Sequence, residues 1–336
     1  MTHRSGGLEV AVVEGGPSTE AAVSRSSAAG VSAALEAAGH RVKRILLDPA
    51  VAVALADAEP DVVFPVVHGA VGEDGCLQGL LEVLGLPYVG SGVLASALGV
   101  DKILAKVVFR RYGLPVAEEA IVSRGSDLRE AAARVRAALG AAVVVKPHAQ
   151  GSGIGVSRVP RSASDDDLVR ALEAALAVDE HALCERFVVG REVTCGVLDV
   201  ATLGPARSLP PTEVVAKLGD YYDFRSKYGT GGSDHTCPAA LSPSVYESVQ
   251  RIALEAHRAL GCRDLSRADF VAGDGDDRER VTLLEVNTIP GMTPVSLYPE
   301  AAAAAGIPMD RLCDALVRSA FERGVRTFSP AVPLPP

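Results

Sequence analysis

The sequence lacks three features, and each absence excludes a class of protein. It has no basic excess, since 33 Lys and Arg stand against 42 Asp and Glu for a formal net charge of −9, and nucleic-acid phosphates need basic neutralisation. No apolar run of about 18 residues is free of charged residues, glycine and proline, and no signal-peptide core follows the first residues. The 6 cysteines are scattered without a zinc or disulfide spacing. We therefore expect a reduced, cytoplasmic enzyme whose partners are neither nucleic acid nor membrane.

Lysine is also scarce beside arginine. The lysines are Lys43, Lys102, Lys106, Lys146, Lys217 and Lys227. In a chain that otherwise uses arginine, a retained lysine is a candidate for a position that needs a compact point charge instead of a planar guanidinium.

The N-terminal third alternates short apolar strands with helices. At 336 residues the chain has room for two or three domains, and β–loop–α alternation favours a parallel sheet with ligands at the carboxyl ends of its strands. Glu20 follows a strand predicted over 8–13, and His68 follows one predicted over 62–67, so both are candidates for ligand binding. The structural alternatives are a helix-dipole role for Glu20 and a turn-stabilising role for His68.

A glycine-rich loop follows a buried strand in the middle of the chain. The strand is predicted over 142–147 and carries Lys146, and the loop spans 148–155. A dinucleotide-binding loop of the Rossmann type opens a helix, whereas residues 154–159 alternate like a strand and stop at Pro160. The pattern therefore favours a hairpin that folds over phosphates.

The region that follows contains a long segment with few periodic apolar residues. This segment, 210–238, is interpreted as a loop or lid, and its aromatic part, 221–228, argues against disorder. An amphipathic helix is predicted over 243–260, and a single helix over 301–323.

The most informative stretch lies near the C-terminal end. Two apolar runs flank a turn-rich segment within residues 265–286, which predicts a β-hairpin. Because side chains alternate faces along a strand, Arg267 shares a face with Asp269, and Glu285 shares one with Asn287. If those faces coincide, three oxygen ligands and a guanidinium converge, as a site for Mg²⁺ and phosphate requires. The alternative is a set of solvent-facing residues on a half-exposed hairpin.

Eight short motifs follow one another along about residues 8–320. They are GGPSTE (15–20), HGAVGEDGCLQGLLEVLGLPYVGSG (68–92), DK (101–102), VKPHAQGSGIGV (145–156), RE (191–192), YYDFRSKY (221–228), SRAD (266–269) and LLEVNTIPGMTPVS (283–296). In this order they resemble the D-alanine–D-alanine ligases of the ATP-grasp superfamily. The 68–92 and 283–296 stretches are the most specific.

The resemblance implies an α/β fold of three-domain ATP-grasp architecture that begins with a parallel-sheet domain. The implied domains are an N-terminal substrate domain (1–98), a central ATP-grasp domain (99–189) and a C-terminal catalytic domain (190–336) with a lid at 210–238. The implied activity is ATP-dependent ligation of two D-alanines through an acyl phosphate, for peptidoglycan precursors. ATP, two Mg²⁺ ions (or Mn²⁺ in their place), D-alanine and a homodimer are implied as cofactors, substrate and assembly.

The resemblance also implies a role for individual residues. ATP contacts are implied for Lys102, Lys146, Gly151, Ser152, Gly153, Glu185, Arg186, Phe187, Val188, Glu192 and Lys227. Substrate contacts are implied for Glu20, His68, Tyr228, Arg267, Gly291, Ser296 and Leu297. Metal ligation is implied for Asp269, Glu285 and Asn287, and catalytic roles for Glu20, Ser152, Tyr228 and Arg267.

Some positions depart from the family pattern and leave the amino-acid substrates more open than the reaction class. Ala22 stands where an acidic residue is usual, Gly153 where a second serine is common, and Glu14 where a small or apolar residue is normal. One alternative is a related ligase that makes D-alanyl-D-serine, D-alanyl-D-lactate or a specialised dipeptide, although Tyr228 favours an amine acceptor. A regulatory nucleotide-binding protein is disfavoured by Arg267, and a Rossmann oxidoreductase by the glycine loop.

Overall fold

The structure is a computed structural model that describes residues 6–217, 232–273 and 281–325. Its strands form three sheets that follow one another along the chain. Within those ranges, none of the helices combines the length and apolar character that crossing a bilayer requires.

The N-terminal sheet is parallel, as the β–loop–α alternation predicts. Its strand order is β2-β1-β3. The strands are β1 (Glu9–Glu14), β2 (Arg41–Leu46) and β3 (Val62–Pro65), and the helices of this part are α1 (Ala21–Ala37), α2 (Val51–Ala58), α3 (Cys76–Leu84) and α4 (Val93–Val100). Buried side chains of α1 and α2 pack against the sheet in separate apolar clusters, so the loops that carry Glu20 and His68 emerge at its carboxyl edge.

The central sheet is antiparallel, with strand order β4-β7-β5-β6. Its strands are β4 (Glu119–Ser123), β5 (Val143–Pro147), β6 (Ser157–Val159) and β7 (His181–Arg186), and the helices are α5 (Lys102–Arg111), α6 (Leu128–Leu139) and α7 (Asp165–Val178). The glycine-rich loop connects β5 to β6, which pair antiparallel. This confirms the predicted hairpin and excludes a Rossmann loop.

The C-terminal sheet is antiparallel, with strand order β11-β10-β8-β12-β13 and β9 paired to β8. Its strands are β8 (Arg191–Asp199), β9 (Arg207–Ser208), β10 (Thr212–Ala216), β11 (Ser233–Thr236), β12 (Asp264–Ala272) and β13 (Val281–Asn287). The helices are α8 (Pro243–Leu260), α9 (Leu297–Ala304) and α10 (Met309–Arg323), and a short 3-10 helix spans Ala201–Leu203.

Two expectations about the C-terminal part are wrong in detail. Residues 210–238 are not loop throughout, because β10 and β11 pair antiparallel at its two ends. Residues 301–323 do not form one helix, because α9 ends at Ala304 and the chain resumes as α10 only after Gly306 and Pro308. Glycine in the left-handed conformation and proline both end helices.

Helices cover one face of the central sheet and one face of the C-terminal sheet. The other face of each sheet lines a shared cleft. In the central sheet, Val143 and Val145 face the α6 and α7 core, whereas Val144 and Lys146 line the cleft. The same alternation holds on β12, where Ala268 faces the α8 core and Asp269 lines the cleft. The period of two along a strand thus separates core residues from site residues.

Candidate active site

The hairpin β12–β13 brings the four predicted polar residues together. Arg267 lies opposite Asn287 and Asp269 lies opposite Glu285, with a register shift after Asp269. The Arg267 guanidinium donates to both carboxylate oxygens of Asp269, each at 2.8 Å, and the Asn287 amide nitrogen donates to the same carboxylate at 3.2 Å. The two faces therefore coincide, as the alternation predicted.

This cluster fits a hard divalent cation. Two carboxylates and one amide oxygen from neighbouring strands are the donors that Mg²⁺ prefers. The Asn287 amide gives its nitrogen to Asp269, which leaves its oxygen for a metal ion, and Thr194 fixes the Asp269 carboxylate by donating at 2.8 Å. Asp269 and Glu285 both line the cleft.

The strand lysine lies in a buried charge network. Lys146 Nζ lies 2.5 Å from Oε2 of Glu185, and the fully buried Lys106 contacts the other oxygen of Glu185. Lys106 also lies 2.8 Å from Glu119, which Arg110 contacts at 2.7 Å. The pattern alternates cation and anion, so each buried charge has a partner of opposite sign.

The network shifts the pKa values of Lys146, Glu185 and Glu119 in favour of their charged forms. Burial alone would lower the pKa of Lys146, but the carboxylates of Glu185 and Glu285 outweigh it and raise that pKa. Burial would raise the pKa of Glu185, but Lys146 and Lys106 hold it below its usual range. Burial is likewise outweighed at Glu119, whose pKa is lowered by Arg110 and Lys106. The cleft therefore keeps a charged lysine in a buried position.

The glycine-rich loop touches the N-terminal part of the chain. Ser152 adopts a left-handed backbone (φ 52°), and its buried hydroxyl donates to the carboxylate of Glu20. A Cβ on Gly151 would lie 3.1 Å from Oε2 of Glu20, so this position favours glycine because the loop approaches the carboxylate closely. Lys102, at the start of α5, donates to the Gln150 carbonyl at 2.8 Å and lies 3.3 Å from Glu285.

Glu20 and His68 lie near each other at the carboxyl edge of the parallel sheet, and both are buried. The Ser18 hydroxyl bonds the His68 carbonyl at 2.6 Å. The imidazole lies 3.5 Å from Glu73 through Nδ1 and 3.4 Å from the Ser27 hydroxyl through Nε2. The Ser18 hydroxyl also accepts from the Glu20 N–H at 3.2 Å, so Ser18 holds the two residues beside one another.

Two clefts meet at the glycine loop. The first, of about 190 Å³, has apolar walls from Val144, Phe270 and Leu284 and is also lined by 185–188 and Glu192. The second, of about 460 Å³, has acidic and amide walls. Its polar lining consists of Ser18, Thr19, Glu20, Glu73, Lys102, Gln150, Glu285, Asn287 and Thr288. The residues common to both clefts are Lys102, Gln150, Gly151 and Glu285.

The remaining predicted residues that the structure describes are Glu192, Gly291, Ser296 and Leu297. Glu192 accepts from Arg158 at 3.0 Å, and the Arg158 guanidinium stacks 5.2 Å from the Phe187 ring centroid. Ser296 precedes α9, and its hydroxyl accepts from the Thr293 N–H at 3.0 Å. A Cβ on Gly291 would lie 2.9 Å from that hydroxyl. Leu297 lines the first cleft.

Tyr228 and Lys227, with the aromatic part of the predicted lid, lie outside the described residues.

Some residues of the site were not among the predicted ones. Lys106, Arg158, Thr194 and Glu73 contact predicted site residues or line a cleft, and Glu119 pairs with Lys106. Only Lys106 carried a signal in the sequence, because lysine is scarce and a retained lysine marks a need for a point charge. Arginine, threonine and glutamate are common on surfaces, so nothing distinguished the others.

The folding pattern defines an α/β protein of the ATP-grasp class, in which two antiparallel sheets enclose a cleft and a parallel sheet precedes them. Two family descriptions match the sequence, "D-ala D-ala ligase C-terminus" over residues 108–318 and "D-ala D-ala ligase N-terminus" over residues 51–91. The chain belongs to the D-alanine–D-alanine ligase family.

Curated relatives and solved structures agree with this assignment. The chain is 43% identical over 312 residues to the D-alanine–D-alanine ligase of Chelativorans sp. strain BNC1, covering 93% of this chain and 97% of the relative. It is 45% identical to that of Methylobacterium radiotolerans, with the same coverage of 93% and 97%. The Bacillus anthracis ligase complexed with ATP superposes with a TM-score of 0.77 at 28% identity, covering 94% and 98% of the two chains.

Proposed function

We propose that the protein joins two D-alanine molecules into D-alanyl-D-alanine at the expense of ATP, as a step toward peptidoglycan precursors. The supporting observation is that two clefts of different chemistry share one wall, which is formed by the glycine loop, Lys102 and Glu285. An apolar cleft suits a purine base, and a cleft with carboxylate walls suits an amino acid with its ammonium group. The phosphate chain of ATP would then cross at the shared wall.

In the first step, a carboxylate oxygen of one D-alanine attacks the γ-phosphorus and ADP leaves, which gives an acyl phosphate. Lys102 and Lys146 would hold the phosphates, and Ser152 with the amides of Gly151 and Gly153 would close over them. Glu185 to Val188 would contact the base, and Glu192 the ribose. Because Lys106 contacts Glu185 as well, Lys146 would remain available to phosphate without leaving Glu185 unpaired.

Asp269, Glu285 and Asn287 would hold Mg²⁺ or Mn²⁺. When bound, the metal neutralises charge that develops on the transferred phosphoryl group.

In the second step, the neutral amine of the other D-alanine attacks the acyl carbon. The bond to phosphate breaks, phosphate leaves and the amine loses a proton. Arg267 and the Gly291 amide would face the oxyanion that forms, and such a donor contributes about 3–4 kcal/mol of transition-state stabilisation.

The amino acids themselves would be held by Glu20 of the second cleft, by His68 beside it and by the chain near α9. Glu20 and His68 would receive the first D-alanine, and Ser296, Leu297 and Tyr228 the second. Closure over the site would exclude water, which otherwise hydrolyses the acyl phosphate.

The alternative is the same chemistry on another pair, such as D-alanine with D-serine, D-lactate or a partner from specialised metabolism. Ala22 supports this alternative. It lies in α1 two positions after Glu20, where the family usually carries an acidic residue.

We also propose the domain boundaries 1–98, 99–189 and 190–336, a cytoplasmic location and a homodimer. Exposed apolar side chains on α3 and α4 support the dimer, because Val83 is 85% exposed and Leu94 is 71% exposed.

The acyl phosphate is testable with isotope-labelled substrate. D-alanine carrying ¹⁸O in both carboxylate oxygens is incubated with ATP and Mg²⁺, and the released phosphate is analysed by mass spectrometry. We expect ADP, and one ¹⁸O atom in each phosphate released, because one carboxylate oxygen leaves with phosphorus. Formation of AMP with ¹⁸O in the AMP would indicate an acyl adenylate and contradict the proposal.

A further inference from the structure

His148 anchors the chain at the point where β5 becomes the glycine loop. Its N–H donates to the His181 carbonyl of β7 at 3.2 Å, and its carbonyl accepts from the Lys102 N–H at 2.9 Å. The backbone of this one residue therefore joins the central sheet to the start of α5.

The side chain of His148 lies between two carboxylates. Its Nδ1 is 2.8 Å from Oδ1 of Asp179, and its Nε2 is 3.9 Å from Oδ2 of Asp101. The ring meets His181 edge to face, with centroids 5.2 Å apart. Among the described residues, the charged and titratable groups that these contacts bring to the imidazole are Asp101, Asp179 and His181.

Each of these carboxylates orients backbone that belongs to the site. Asp179 accepts from the N–H of Ala149, the first loop residue after His148, at 2.9 Å. Asp101 accepts from the N–H groups of Ile103 and Leu104, both at 3.0 Å, and so caps the helix that begins with Lys102. The imidazole thus lies within 4 Å of both carboxylates that orient the loop and the start of α5.

His148 is not among the residues that line either cleft, whereas Lys102 and Gln150 line both. Lys102 Nζ donates to the Gln150 carbonyl, so a displacement of either the loop or the helix changes the same phosphate-binding wall. His148 can therefore affect a bound ligand only through the loop and Lys102.

We propose that His148 is a positioning residue that holds the glycine loop and Lys102 in one phosphate-binding arrangement, through the carboxylates of Asp179 and Asp101. That ATP is the ligand at this wall rests on the proposed function. Without the imidazole, the loop and the helix sample other arrangements, and the apparent affinity falls in proportion to the fraction of molecules in the binding arrangement.

The test measures binding of a non-hydrolysable ATP analogue with Mg²⁺ by calorimetry, for the parent protein and its variants His148→Ala and His148→Asn. The asparagine amide nitrogen reaches about the place of Nδ1, so it keeps the contact with Asp179. We expect the dissociation constant to rise about tenfold in His148→Ala and less than about threefold in His148→Asn. In turnover assays, the KM for ATP should rise in His148→Ala while kcat and the KM for D-alanine change little.

The matched control is Asp166→Asn, because Asp166 lies at the start of α7, at the opposite end from Asp179, and pairs with exposed Arg129. It should bind the analogue as the parent does. An unchanged dissociation constant in His148→Ala would overturn the proposal, and so would an equal loss in both His148 variants, because ring packing would then be the cause.

Asp179→Asn provides a second route if His148→Ala does not fold by circular dichroism. It should weaken analogue binding to a similar degree, and normal binding would overturn the proposal. Binding of the analogue does not depend on the amino acids used, so a parent that binds it but does not turn over D-alanine would contradict the proposed function and leave the test of His148 intact.

Discussion

Lys106 shows how a single residue connects the fold to the site. It is fully buried on α5, and its ammonium group lies between Glu119 and Glu185. Glu185 in turn contacts Lys146, which lines the first cleft. Burying charges is costly unless each has partners, and removing one member leaves the others uncompensated. The electrostatics of the cleft therefore depend on a lysine that does not reach it.

We predict that Lys106→Met destabilises the protein by about 3–5 kcal/mol, because Glu119 and Glu185 lose a buried partner. Urea unfolding measures the change in free energy. Lys217→Met is the matched control, since Lys217 pairs with Asp234 at 2.5 Å but both side chains are at least half exposed, and a surface pair contributes about 0–1 kcal/mol. Equal losses in the two variants would contradict the role of burial.

The same network predicts how stability depends on pH. Burial raises the pKa values of Glu185 and Glu119, but their cationic partners lower them by more. Both folded-state pKa values therefore lie below 4.5, the ordinary value. Their contribution to stability is fully present above that value and is lost as the pH falls through the lowered pKa values. Lys146 has a raised pKa, so its contribution is present below its ordinary value and is lost as the pH rises above it.

We therefore expect the free energy of unfolding to fall steeply in acid, and to fall less steeply in Glu185→Gln. Urea titrations between pH 3 and 6 measure both slopes. An acid slope that is unchanged in Glu185→Gln would show that this carboxylate does not carry the effect.

At the scale of elements, the β12–β13 hairpin was predictable and its irregularity was not. Alternation along the strands placed Arg267 with Asp269 and Glu285 with Asn287, and apolar residues between them indicated two strands. The register shift after Asp269 has no marker in the sequence, because a β-bulge depends on how two strands pair. It lies beside the proposed metal ligands, and bulges are common next to active sites.

Contacts between distant elements could not be predicted from spacing or periodicity. The Ser152–Glu20 contact joins residues 132 positions apart, and neither residue has a local feature that indicates the other. Helices α2 and α4 were missed, since they are short and apolar and their patterns do not differ clearly from those of buried strands. The break before α10 did have a signal, because Gly306 and Pro308 both stand inside the predicted helix.

The loop between β5 and β6 yields a prediction about close approach. In Gly151→Ala, the added methyl group would lie 3.1 Å from the Glu20 carboxylate, closer than ordinary contact, so the carboxylate must move. We expect kcat/KM for D-alanine to fall at least about tenfold, because small displacements of positioning groups are costly in catalysis.

Gly79→Ala is the control for this substitution. Its methyl group would lie 4.0 Å from Val93, and alanine is the better helix former, so activity should be retained. Full activity in Gly151→Ala would mean that the Glu20 contact with the loop is not required.

At the scale of the whole molecule, a buried aspartate fixes the N-terminal part against the C-terminal sheet. Asp264 begins β12 in a left-handed conformation (φ 60°) and accepts from the Gly90 N–H at 2.8 Å. Arg323 on α10 donates to the two Asp264 oxygens at 2.7 and 2.9 Å and to the Tyr88 carbonyl at 2.8 Å. This junction and the Ser152–Glu20 contact join parts of the chain that are far apart in sequence.

The most direct test of the proposed function is the product itself. The protein is incubated with ATP and Mg²⁺ and with D-alanine alone, or with D-alanine paired with D-serine, D-lactate or other amino acids, and the products are identified by mass spectrometry. We expect D-alanyl-D-alanine from D-alanine alone, with one ADP and one phosphate per dipeptide. Turnover only with another pair would retain the ligase chemistry and contradict the substrate assignment, and no dipeptide or ester from any pair would contradict the ligase function.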